Sequence, residues 1–146
     1  MPTPNIGLAL GGGGAKGVAH IPVLKTLDEL NVSISKVTGT SIGAVMAVLY
    51  ASGLSGEDIE QLYQQLFQQE VSFWRKLISR ENTDVIKWYD LLAPGFGNST
   101  GLVQIHEMLD FVVDATGVKK IEDLKIPVNI VAADFWNRQA VIFNHG

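Results

Sequence analysis

The chain has 146 residues, 47% of them hydrophobic, a formal net charge of −4 at pH 7 and no cysteine. This length and composition fit one folded domain with a real core and exclude a disordered chain; without cysteine there are no disulfides, thiol nucleophiles or thiolate metal sites, which agrees with a reducing, cytoplasmic setting. A pI of about 5.2 and the lack of any Lys or Arg cluster weigh against nucleic acid and against strong electrostatic attachment to anionic lipid.

Met1-Pro2-Thr3-Pro4-Asn5 carries no basic region, and the apolar run from Ile6 to Leu10 stops at glycines, which argues against a signal peptide. Asn5 to Leu10 reads as a first buried strand. In Gly11-Gly12-Gly13-Gly14-Ala15-Lys16-Gly17 the missing side chains let backbone N–H groups converge at the entrance of the next helix, where the dipole is positive, so the loop suits an anion. A helix over roughly 18–30 follows, with Ile21, Leu24, Leu27 and Leu30 on one stripe and Pro22 confined to the first turn.

A polar turn over 31–35 precedes a short strand, Lys36 to Thr38, and then the run Gly39-Thr40-Ser41-Ile42-Gly43. This is the G-x-S-x-G pattern of a nucleophile elbow, in which the glycines permit a sharp strand-to-helix turn and leave the serine hydroxyl exposed at the strand tip. A plain Gly/Ser turn between two elements satisfies the same pattern, so the motif needs support from elsewhere. Ile42 to Ser52 reads as a helix that is apolar nearly all round, and its longest apolar run is about half of a membrane span. Gly53 caps it, Ser55-Gly56-Glu57-Asp58 resembles a capping box, and Ile59, Leu62, Tyr63, Leu66 and Phe67 follow a helical stripe.

From Val71 to Phe96 the pattern loosens, with Phe73, Trp74, Leu77, Ile78, Trp88, Tyr89, Leu91 and Leu92 crowded into a region broken by polar and Pro-Gly residues. Short packed helices explain these aromatics; a hydrophobic lip for lipid chains is the functional alternative. Residues 97–101 read as a loop, Ile105 to Ala115 as an amphipathic helix bearing a surface His106, and Pro127 to Ala133 with Ala140 to Phe143 as a closing hairpin around Asn137-Arg138. The element order indicates an α/β sandwich with a parallel pair of strands at its start.

Gly12-x-Gly14-x-x-Gly17 also satisfies the dinucleotide fingerprint, but the second strand ends in Gly39-Thr40-Ser41 where an acidic ribose ligand belongs, and Lys16 precedes Gly17 where a P-loop has the reverse order. The two motifs together are more specific than either alone. Convergent N–H donors beside an activated serine form an oxyanion hole next to a nucleophile, the arrangement of acyl transfer.

Gly12-Gly13-Gly14-Ala15-Lys16-Gly17, Gly39-Thr40-Ser41-Ile42-Gly43 and Ile126-Pro127-Val128-Asn129-Ile130-Val131-Ala132-Ala133-Asp134 together resemble the patatin-like phospholipases, nearest their bacterial branch related to the neuropathy target esterase domain. The resemblance covers about residues 5–146 and implies a three-layer α/β/α sandwich that hydrolyses lipid acyl esters through a Ser–Asp dyad, with no catalytic histidine, metal or cofactor. It implies Ser41 as nucleophile and the N–H groups of Gly12, Gly13, Gly14 and Ile42 as the oxyanion hole. Lys16 matches the basic position of the glycine motif, with an anion contact or a structural role in the loop equally open. The implied partners are a lipid or other acyl-ester substrate and, as a further candidate, a peripheral membrane contact, with no nucleic acid.

One element of the family pattern is missing. The dyad aspartate precedes glycine in that family, and none of the 15 acidic residues here does so. The expectation is therefore a single incomplete domain over 1–146, truncated before the dyad segment, weakly active or inactive alone and prone to self-association through surfaces the missing part would cover. Two other readings stay open at this point: a Ser41–Asp134–His145 triad in α/β-hydrolase order, and a non-catalytic lipid- or nucleotide-binding module built on the glycine loop.

Overall fold

The computed structural model describes residues 5–68 and 109–146. Strand β1, Ile6–Leu10, sets Leu8 and Leu10 on one face by its two-residue alternation. A tight 3-10 helix over Gly14–Ala19 then leads into helix α1, His20–Glu29. The α-helix is thus shorter than the expected 18–30, because the chain leaves the glycine run as a 3-10 turn. Pro22 is the third residue of α1, where no intrahelical N–H bond is lost. Ile21 and Leu24 are buried, but Leu30 lies past the helix end and is 68% exposed, so it drops out of the predicted stripe.

Strand β2, Ile34–Gly39, is longer than Lys36 to Thr38. Ile34 pairs with Ile6 across the ladder, and Ser35 Oγ donates to Ile6 O at 3.0 Å, drawing the end of the predicted polar turn into the sheet. Helix α2, Ile42–Ala51, buries eight of its ten residues, as an all-apolar helix must. It ends at Gly53, whose φ of +103° suits glycine. Helix α3, Gly56–Gln68, opens on the expected capping box: Asp58 N–H donates to Ser55 Oγ at 3.1 Å and Ser55 N–H donates to Asp58 Oδ2 at 2.9 Å. Ile59 is buried, with Leu62 and Tyr63 half-buried beside it. Residues 109–116 are helical and close on Gly117. The side chains of Leu66 and Phe67, the aromatic region Val71 to Phe96, the loop 97–101 and His106 lie outside the described residues.

Strands β3, Val128–Asp134, and β4, Gln139–Phe143, form the predicted antiparallel hairpin. The sheet runs in the order β1-β2-β3-β4, and β3 pairs with β2 in parallel, extending the initial parallel pair to three strands. Leu10, Val37 and Val128 meet α2, α1 and α3 in one core. Fully burying residues such as Leu24, Ile59 and Val37 contributes about 1.5–3 kcal/mol each. The opposite sheet face is exposed at Ala9, Lys36, Ala133 and Ala140 among the described residues. The parallel register also puts the C-terminal ends of β1, β2 and β3 on one edge, where the glycine loop, Ser41 and the turn after Asp134 follow them.

Candidate active site at the edge of the parallel strands

The chain leaves β2 through Thr40 and reverses into α2 at Ser41, which has φ 52° and ψ −130°. That backbone region is strained for a residue with a Cβ, and such strain persists only where the surroundings over-determine it. The surroundings are specific. Thr40 N–H donates to Leu10 O at 3.2 Å, Gly43 N–H to Thr40 O at 3.0 Å, and Ala44 N–H to Ser41 O at 2.8 Å.

The two motif glycines are needed for contact, since neither has a positive φ. A Cβ on Gly39 would collide with Gly43 O and the Ala44 backbone, and one on Gly43 would collide with Leu10 O and Gly11 O. The first lets β2 touch α2; the second lets α2 touch the end of β1. Serine at a helix N-cap ordinarily accepts an N–H bond from the first turn with its hydroxyl. Ser41 makes no such bond and is exposed.

The glycine loop runs alongside. A Cβ on Gly12 would stand 3.3 Å from Ser41 Cβ and 3.5 Å from Thr40 O, so backbone passes the serine where no side chain intervenes. Gly13 (φ 151°) and Gly14 (φ 55°) carry the positive φ values that turn the loop. Gly17 lies under Ile42, and a Cβ there would fall 2.5 Å from Ile42 Cγ1, so the buried Ile42 side chain locks the loop to the start of α2. Among the described residues, the N–H groups of Gly12, Gly13, Gly14 and Ile42 donate no hydrogen bond. These unspent donors, with the positive end of the α2 dipole, favour negative charge beside Ser41.

His20 is the first residue of α1. Its Nε2 lies 2.9 Å from Gly11 O, so that nitrogen carries the proton and tethers the loop to the first residue of α1. The signal available in the sequence was a histidine at a helix start nine residues after the loop. Lys16 is exposed, and its ammonium makes no ion pair among the described residues.

The proposed triad does not assemble. Asp134 ends β3 on the Ser41 edge, but Asn137 N–H donates to its Oδ1 at 3.0 Å and Asn137 Nδ2 to its Oδ2 at 2.7 Å. These bonds from Asn137, the backbone one foremost, hold its carboxyl below the usual aspartate range, which makes it a weak proton acceptor. His145 follows an antiparallel strand whose Phe143 pairs with Ile130, so it lies towards the opposite, N-terminal end of β3. There Gly146 N–H donates to Glu122 and Ile121 N–H donates to Gly146 O. Chain order matched a triad; strand direction separates its members.

Next to Ser41 the edge opens into a cavity of about 870 Å³, bounded by Thr40 and by hairpin residues between Val131 and Ala140. Among the described residues no group of three or more His, Asp or Glu side chains is placed to hold a metal ion, and no helix is long and apolar enough to cross a membrane.

A family model described as patatin-like phospholipase matches residues 8–145. The chain belongs to the patatin-like phospholipase family. This patatin-like chain is 32% identical over 144 residues to an uncharacterised NTE family protein of Mycobacterium tuberculosis, covering 99% of the chain and 35% of that protein. It is 34% identical over 130 residues to the neuropathy target esterase of Drosophila willistoni, covering 89% of the chain and 8% of the esterase. The chain therefore spans about a third of the mycobacterial relative's length. Among solved structures, full-length ExoU of Pseudomonas aeruginosa, crystallised with full-length SpcU, matches with a TM-score of 0.59 at 21% identity, covering 97% of this chain and 35% of ExoU. That likeness establishes the α/β fold of the patatin-like chain.

Proposed function

We propose that this patatin-like chain carries the nucleophile and oxyanion hole of a serine hydrolase acting on lipid esters, of phospholipase A or lysophospholipase type. The observation that carries the reading is Ser41, held in a strained turn beside backbone N–H groups, with neither its hydroxyl nor those groups hydrogen-bonded among the described residues. Family membership supplies the substrate class.

Ser41 Oγ attacks the ester carbonyl carbon while its proton passes to a carboxylate base. The carbonyl electron pair moves onto oxygen, and the N–H groups of Gly12, Gly13, Gly14 and Ile42 receive that charge without reorganising. Collapse of the tetrahedral intermediate breaks the bond to the alcohol oxygen, which takes the proton from the base and leaves an acyl-serine. Water then repeats the sequence, releasing the fatty acid and restoring Ser41. By resemblance to the family the base is an aspartate that precedes glycine; no acidic residue in 1–146 does so, and Asp134 is committed to its turn.

Labelling with a fluorophosphonate followed by peptide mapping tests the nucleophile. Modification of Ser41, lost in Ser41→Ala, is expected; nucleotide protection in a thermal-shift assay without labelling would favour a binding module. The dyad is tested with p-nitrophenyl esters, which residues 1–146 should turn over far more slowly than a chain extended through an Asp-Gly segment. Equal turnover would exclude it.

A further inference from the structure

Four consecutive glycines, Gly11 to Gly14, give the loop beside Ser41 a backbone with little conformational preference of its own. Donors that stabilise a developing oxyanion must nevertheless be aimed before the reaction starts. The carbonyls of the same loop carry the aim. A trans peptide unit is planar, with its N–H antiparallel to its C=O, so a bond that fixes one carbonyl also fixes the N–H of the next residue. Among the described residues no peptide bond is cis.

Leu10 O accepts from Thr40 N–H at 3.2 Å and Gly13 O accepts from Lys16 N–H at 3.1 Å, which sets the N–H groups of Gly11 and Gly14. Between them Gly11 O accepts from His20 Nε2 at 2.9 Å, which sets the N–H of Gly12. The first two bonds join backbone to backbone and are open to any residue but proline at positions 40 and 16. The third comes from a side chain. Gly11 adds no packing of its own, since a Cβ there would meet nothing within 4 Å. On another side of its carbonyl stands α2, where a Cβ on Gly43 would fall 2.5 Å from Gly11 O. The Gly11–Gly12 peptide is therefore held between α1 and α2, and the His20 bond gives it direction. Gly12 is also the loop residue that passes Ser41, at 3.3 Å from its own added Cβ to Ser41 Cβ.

We propose that His20 is a positioning residue of the oxyanion hole: its Nε2–H holds the Gly11–Gly12 peptide plane and thereby aims the Gly12 N–H at the charge that forms on Ser41 attack. The inference rests on the serine-hydrolase reading for the reaction it serves, but the order of the Gly12 N–H can be measured without any reaction, so the two are tested separately.

Two substitutions in the full chain separate the donor from the ring. His20→Phe keeps an aromatic ring at the start of α1 and removes the donor; His20→Gln removes the ring and carries an N–H donor as many bonds from Cα as Nε2. Fluorophosphonate labelling of Ser41 is followed against probe concentration, and the order of the Gly12 amide by NMR relaxation of isotope-labelled glycine. His20→Phe should lower the limiting labelling rate about tenfold, a fraction of the roughly 10²–10³ lost when an oxyanion donor is removed outright. The probe concentration at half the limiting rate should not move, because the interaction belongs to the transition state. The Gly12 amide should lose order in the same variant, and His20→Gln should recover most of both. His20→Ala serves the same comparison where the phenyl ring destabilises the chain. An unchanged limiting rate with unchanged Gly12 order in His20→Phe overturns the proposal. A loss in His20→Gln as large as in His20→Phe overturns it too, and would assign the histidine to packing. If Ser41 of the parent resists the probe while Gly12 loosens in His20→Phe and recovers in His20→Gln, the hydrolase reading falls and the His20 tether stands.

Discussion

Ser41 is strained by its φ of 52°, and the residues that hold the strain divide into those that build the turn and those that leave room beside it. Gly39 and Gly43 belong to the first group, since a methyl on either meets backbone that cannot move aside. Gly39→Ala is expected to destabilise the domain by about 1–3 kcal/mol through overpacking, read as a lower midpoint in chemical denaturation. Gly12 belongs to the second group. Its added Cβ would press on Ser41 Cβ at 3.3 Å, which a few tenths of an ångström of movement relieves. Gly12→Ala should keep its melting temperature within a few degrees but slow fluorophosphonate labelling of Ser41 about tenfold, because small misplacements of reacting groups are costly. If labelling tracks stability in both variants, the loop has no role beyond packing.

At the scale of elements, caps and turns were legible wherever a local bond defines them. The box at Ser55–Asp58 forms as its spacing predicts. Ser55→Ala should cost about 1 kcal/mol. It should also alter the acid limb of stability. Hydrogen bonds from the Ser55 side chain and backbone hold the Asp58 carboxyl below its usual value, so its contribution is present above the ordinary aspartate range and is lost as pH falls through the lowered folded value. Melting followed through the acid range should therefore decline less steeply in Ser55→Ala than in the parent. Asp134 was legible only as a triad candidate by chain order. Its role as the acceptor for Asn137 depends on the turn of the hairpin, which sequence spacing located without orienting the side chains. The glycine run shows the converse: its apolar continuation suggested an α-helix from residue 18, but the chain spends Gly14–Ala19 as a 3-10 turn that brings His20 back to Gly11.

Across the whole molecule, Asp28 joins three helices. Tyr50 Oη donates to its Oδ1 at 2.7 Å and Gly56 N–H donates to its Oδ2 at 2.6 Å, linking α1 to α2 and to the start of α3. Lys25 bridges α1 to α3 through Glu57 at 2.8 Å and Glu60 at 2.6 Å. Gly56 permits this crossing, because a Cβ there would meet the Lys25 backbone nitrogen. Burial, reinforced by Asp28, pushes the Tyr50 phenol up to about 12 from its ordinary value near 10. A raised pKa means that this stabilisation is complete below about pH 10 and is lost as pH rises through the folded value near 12. Melting temperatures followed between those limits should fall in the parent and fall less in Tyr50→Phe, which has no proton to lose. An identical alkaline decline in both would assign the effect to other groups.

The sequence by itself determined the elements and the turns between them, because glycine spacing, apolar period and caps act through contacts a few residues apart: the sharp turn at Ser41, the glycine loop before it, the buried α2 and the hairpin were all readable. Only the tertiary structure decided which of these meet. Strand direction is a pairing property, so Asp134 and His145, in triad order along the chain, end at opposite edges. The same parallel register brings Gly12 against Ser41 and sets the hairpin cavity beside Thr40, juxtapositions that arise from strands paired across tens of residues.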